Sequence, residues 1–203
     1  MSPAECRDAF RLELTHCRTL RQYAIDHITD PDVRSLTFES SLSRAFRAYE
    51  NFVENTFIAY MTGESTVSGA QVQRFVAPPS SEHARRMLLP GNAKYLDWAD
   101  PSTVVYRGKY FLHEDGPLPS AVTQAWNTID WMRKVRNHIA HNSTESMLQY
   151  RKVVAVIMMV DDPAPPRPGD LLQSRPQRGP FNGREVLAAL LSNTESFVDS
   201  AVS

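Results

Sequence analysis

The sequence predicts an all-α fold: a bundle of about five main helices with a long, partly irregular insertion between the second and third. Two observations carry that prediction. Apolar residues recur at three-to-four spacing over long stretches, and prolines, glycines and capping residues mark where those stretches stop. A third observation bounds the size: 203 residues, 42% hydrophobic and 22% charged, suit one globular domain, residues 1–203, with a sizeable core.

The first helix is expected from Ala4 to Ile28, on the stripe Phe10, Leu14, Cys17, Leu20, Ala24 and Ile28. Asp30-Pro31-Asp32 then supplies a break and a fresh start. The second helix, Phe38 to Met61, has the stronger stripe: Leu42, Ala45, Phe46, Tyr49, Val53, Phe57 and Tyr60. Arg44, Arg47, Glu50 and Glu54 lie beside or opposite it.

Residues 63–119 form the insertion. Gly63, Gly69, Pro78-Pro79 and Ser80-Ser81 indicate loop, with a short helix over Glu82 to Leu89. Val104-Val105-Tyr106 and Tyr110-Phe111-Leu112 suggest short extended pieces. The third long helix begins after Pro119-Ser120, a cap, and runs to His141. Ser143 and Glu145 suggest a restart, with a fourth helix from Glu145 to Met159. A proline-rich surface loop, residues 161–182, leads to a last helix over Arg184 to Val202.

The formal net charge is −1, so no global field recruits nucleic acid, and any such binding needs a local patch. Cys6 and Cys17 fall on one predicted helix, roughly 16 Å apart at about 1.5 Å per residue, too far for a disulfide. Reduced thiols and a start without an apolar signal core suggest a cytoplasmic protein. The longest nearly unbroken apolar run, Val153 to Val160, is too short to cross a bilayer, so no membrane partner is expected. The six histidines are scattered without paired Cys or Asp spacing, so neither a metal nor another cofactor is expected.

The candidate chemistry lies in Arg136-Asn137-His138-Ile139-Ala140-His141, at the end of the third helix. A permanent guanidinium charge and an imidazole that titrates near neutrality suit phosphodiester chemistry: one holds phosphate, the other moves protons. On a wheel started at Val122 and turned roughly 100° per residue, Ala125, Trp126, Ile129, Met132, Ile139 and Ala140 share an apolar arc of about 140°. Arg136 falls inside that arc. Asn137 and His141 fall together at its edge and His138 on the solvated side, which selects His141 as the functional imidazole. Each of these residues also suits a purely structural role. Arg136 suits a structural ion pair with Glu50 or Glu54. His141, Arg133 and Lys134 suit the negative end of the helix dipole. Trp126 and Trp131 suit packing.

The string "RKVRNHIAH", ending one long helix and followed by another, resembles the HEPN superfamily of helical-bundle proteins, many of them metal-independent endoribonucleases. Their signature is an arginine, four to six intervening residues and a histidine, with a polar residue after the arginine. Arg136, Asn137 and His141 match it. The segment "SRAFRAYENFVENTFIAYM" is similar to the aromatic and glutamate-rich helix that packs on the motif helix in that superfamily. A long middle insertion, the "RNxIAH" core and a final helix after a proline-rich connection resemble most the RiboL-PSP-HEPN branch.

The resemblance implies a homodimer in which two motifs meet. It implies RNA cleavage by 2′-hydroxyl attack, with Arg136, His141 and Asn137 as catalytic residues. Arg133 and Lys134 would then bind RNA, with Glu50 and Glu54 as supporting carboxylates. A toxin or defence role, with an antitoxin or defence-system partner protein, follows from the same likeness. Ser143 stands where members controlled by a nucleotidyltransferase antitoxin often carry tyrosine. The alternative expectation is a non-catalytic HEPN-like module that binds RNA, a nucleotide or a protein.

Overall fold

The structure, a computed structural model, describes residues 1–89, 91, 96–162 and 164–203. It is all-α. The described residues form nine helices: α1 (Pro3–His27), α2 (Pro31–Thr62), α3 (Ser81–Leu88), α4 (Pro101–Phe111), α5 (Pro117–Gln124), α6 (Trp126–His141), α7 (Thr144–Met158), α8 (Pro168–Gln173) and α9 (Val186–Val202). The β pairing among them amounts to one isolated bridge, Arg74 with Leu112. The helix starts expected at Asp30-Pro31 and Ser143 are capped as their chemistry suggests, whereas Pro119-Ser120 is no cap: α5 begins at Pro117, after Gly116, without a side-chain cap. At the start of α2, for example, Asp30 Oδ1 accepts from the backbone N–H of Asp32 and Val33, and Pro31 occupies the first helical position.

The described residues divide into two compact units. The first comprises Met1–Leu12, Ala48–Ile129 and Thr194–Ser203. An aromatic cluster holds its core: Phe52 lies 5.6 Å from Phe10 and 5.8 Å from Phe197, and Tyr49 packs 5.6 Å from Phe197. The insertion belongs wholly to this unit and is more helical than expected. Val104-Val105-Tyr106 and Tyr110-Phe111 lie in α4, not in extended pieces. Asp100 caps that helix by accepting from Ser102 N (2.9 Å), Pro101 follows the cap, and Val104, Arg107 and Gly108 bury one face at helical spacing. Capping and a buried helical face outweigh the β-branched propensity of the two valines. Gly108 is there for closeness: a Cβ would come within 2.6 Å of Pro119 Cγ on α5.

The second unit comprises Glu13–Arg47 and Asp130–Asn193. Leu14, Cys17, Leu42, Phe46, Val135, Tyr150, Ile157, Leu171 and Leu172 are fully buried in it. Arg21 makes a two-pronged pair with the buried Glu185, one arm at 2.7 Å. The proline-rich loop contains an element missed by its composition. α8 buries Gly169, Leu171 and Leu172, and Gly169 N donates to Glu39 Oε1 (3.0 Å).

The expected third helix is two. Ala125 leaves helical geometry (φ −89°, ψ 7°), so α6 starts afresh at Trp126. The wheel from Val122 therefore carries the wrong phase into the motif. Trp126 is 38% exposed and Ala140 is exposed, whereas Met132, Val135 and His138 form the buried side. Cys6 and Cys17 are free and buried, and burial pushes the Cys17 thiol up to about 11. No helix among the described residues is long and apolar enough to cross a membrane.

Candidate active site

α6 ends at His141 because the next residue reverses the chain. Asn142 adopts left-handed geometry (φ 44°) and its N–H still reaches His138 O (2.9 Å). Ser143 then caps α7. Its Oγ accepts from Ser146 N (3.2 Å), and Ser146 Oγ accepts from Ser143 N (2.9 Å), a reciprocal box. Two residues thus join α6 to α7, and the end of one helix meets the first turns of the next. A cleft of about 520 Å³ opens there. Its α6 wall carries Arg133, Lys134, Asn137 and His141, and its α7 side carries Ser143, Glu145, Ser146 and Gln149.

His138 does not lie on the solvated side. It is 6% exposed, stacks on Tyr150 with ring centres 4.9 Å apart, and its Nδ1 lies 3.1 Å from Ser146 Oγ. Burial pushes its pKa below the ordinary value, partly opposed by the Glu39 charge. A rotated α6 explains the error: the buried side runs through Met132, Val135 and His138. His141 is exposed at the cleft, with no hydrogen-bond partner among the described residues. His141 is thus the exposed imidazole of the two, by a different geometry from the one the wheel suggested.

Arg136 is half-buried. Its Nη1 donates to Asn137 Oδ1 (3.0 Å), and the guanidinium lies 5.7 Å from the centre of the Phe46 ring. With its carbonyl side held by Arg136, the Asn137 amide has its NH₂ group left to donate. Arg133 Nη2 and Lys134 Nζ both bind Asp130, at 2.7 and 2.6 Å. Burial raises the Asp130 carboxyl, but the hydrogen bonds from Lys134 and Arg133 outweigh it and hold the pKa below the usual range. Both cations therefore enter the cleft already paired.

Glu54 is engaged elsewhere, accepting from Arg85 Nε (3.0 Å) and Trp98 Nε1 (3.1 Å). Glu50 is half-buried on α2. Sequence reasoning missed Ser146, Glu145 and Gln149 as cleft residues. Their signal was present: Ser143 and Ser146 stand at capping-box spacing, and Glu145 and Gln149 are one helical turn apart. Among the described residues no group of three or more His, Cys, Asp or Glu is placed to hold a metal ion. The chain matches no family model, no curated protein and no solved structure.

Proposed function

We propose that the protein is a metal-independent endoribonuclease with a HEPN-like bundle, acting as a homodimer. The observation that carries this reading is the α6–α7 cleft, which brings an accessible imidazole, His141, and an oriented amide, Asn137, beside Arg133 and Lys134. Cleavage needs a base to take the 2′-hydroxyl proton, an acid to protonate the departing O5′, and donors on the phosphorane oxygens. The 2′-oxygen forms a bond to phosphorus and the bond to O5′ breaks. The products are a 2′,3′-cyclic phosphate and a 5′-hydroxyl. One His141 serves one proton transfer and the His141 of a second copy the other.

Asn137 donates to the phosphate, and Arg136 behind it fixes the amide and adds positive charge. A second copy is supported by the exposed apolar residues of α7, Leu148 and Val156, and by Met159 and Val160 just past its end. The test is incubation of purified protein with labelled single-stranded RNA in the presence of a chelator. His141→Ala is expected to lower cleavage by about 10² or more while the helical signal and Tm stay put. Cleavage by the variant at the parent's rate would remove the nuclease reading. Binding without cleavage by the parent would favour the non-catalytic module.

A further inference from the structure

We infer that the α7 side of this cleft reads a guanine base, with Glu145 as the main specificity-determining residue and Gln149 as a second contact to the same base edge. The inference rests on the proposal that the cleft takes RNA, and it names which nucleotide. The two sides of the cleft differ in chemistry. The α6 side offers donors, namely Asn137, His141 and the paired cations Arg133 and Lys134. The α7 side offers a carboxylate. Among the described residues no cation pairs with Glu145, whose Oε1 accepts from Gln149 Nε2 at 2.9 Å.

A carboxylate in a nucleic-acid cleft repels phosphate, so the phosphate belongs on the α6 side and the α7 side faces something with N–H groups. The serines offer little: Ser146 Oγ lies within hydrogen-bond reach of His138 Nδ1, Ser143 N, Ser143 Oγ and Ser143 O, and Ser143 Oγ is held by Ser146. Recognition is left to Glu145 and Gln149.

The pattern those two present fits one base edge. Guanine carries two adjacent donors, N1–H and the exocyclic N2–H, with the O6 acceptor beside them. A carboxylate takes both donors, and the second N–H of Gln149 Nε2 is free to meet O6. Adenine and cytosine set a ring-nitrogen lone pair next to their amino group, and uracil flanks its one N–H with two carbonyls. Each of these brings a lone pair against the carboxylate. Unstacked bases of single-stranded RNA expose this edge, and a bidentate contact with it discriminates by factors of ten or more.

The experiment measures equilibrium binding of single-stranded hexanucleotides that differ at one position, G, A, C or U. The nucleotide there carries a 2′-deoxy sugar so that cleavage cannot start from it. Cleavage-site mapping on an all-ribose RNA accompanies it. The parent is expected to prefer G by about tenfold, and Glu145→Gln to bring the four bases within about twofold while A, C and U binding holds. A parent without base preference, a variant that keeps the G preference, or equal loss across all four bases would each overturn the inference. The two readings separate cleanly. Guanine-selective binding without any cleavage would sink the nuclease proposal and leave this one standing. Cleavage without selectivity would do the reverse, and a protein that neither binds nor cuts RNA would sink both.

Discussion

At the scale of the residue, the motif histidines divide the labour by burial. His141 stays wet at the cleft, whereas His138 is spent on structure, stacked on Tyr150 and joined to Ser146. That placement has a pH consequence. Burial lowers the folded-state pKa of His138 below 6.5, so below that pH the unfolded chain binds the extra proton more readily. Its contribution is therefore fully present above about pH 6.5 and is lost as pH falls toward the depressed folded value. Glu39 works against this by favouring the charged ring, and Tyr150, raised to a pKa beyond this window, stays neutral. Thermal melts between pH 7.5 and 5.5 are expected to show Tm falling in the parent, with a shallower slope in His138→Phe. Parallel slopes would show that the buried ring does not titrate in this range. That residues 136–141 close a helix was legible in the sequence, but that His138 is its buried histidine was not. A wheel resolves faces only while the helix is unbroken, and Ala125 breaks it.

At the scale of the element, chain punctuation was the readable part. Asp30-Pro31 and Ser143 each open a helix through local hydrogen bonds, which depend on near neighbours and so leave a mark in the sequence. α4 and α8 escaped because their stability comes from what they pack against. Val104-Val105 carries strand propensity and the segment around α8 is rich in proline, so composition pointed the wrong way in both. For α8 the docking is specific. A Cβ on Gly169 would overlap the hydroxyl and carbonyl of Ser35, and the Gly169 N–H is the donor to Glu39. Gly169→Ala is expected to cost about 2 kcal/mol through forced separation of α8 from α2. Urea unfolding measures it, and a change under about 0.5 kcal/mol would mean that this approach is readily relaxed.

At the scale of the whole molecule, the net charge of −1 and the paired state of Arg133 and Lys134 leave little long-range attraction for RNA, so the proposed cleavage would rest on local geometry. One chain supplies one accessible motif imidazole, and the proposed cleavage needs two proton transfers. If a second copy supplies the other, a mixed dimer of parent and His141→Ala chains lacks either its acid or its base. Isologous pairing makes the outcome quantitative. At constant total protein, activity is expected to fall as the square of the parent fraction when His141→Ala is mixed in and allowed to exchange. A linear fall would mean that each chain cuts alone. The same test extends to α7: charges introduced by Leu148→Glu and Val156→Glu at its exposed apolar residues are expected to convert the proposed dimer to a monomer by light scattering and to remove cleavage together. Neither of those two residues lines the cleft that holds the imidazole and amide. Joint loss of assembly and activity would therefore locate the second proton carrier on the partner, and a monomer that still cleaves would place both within one chain.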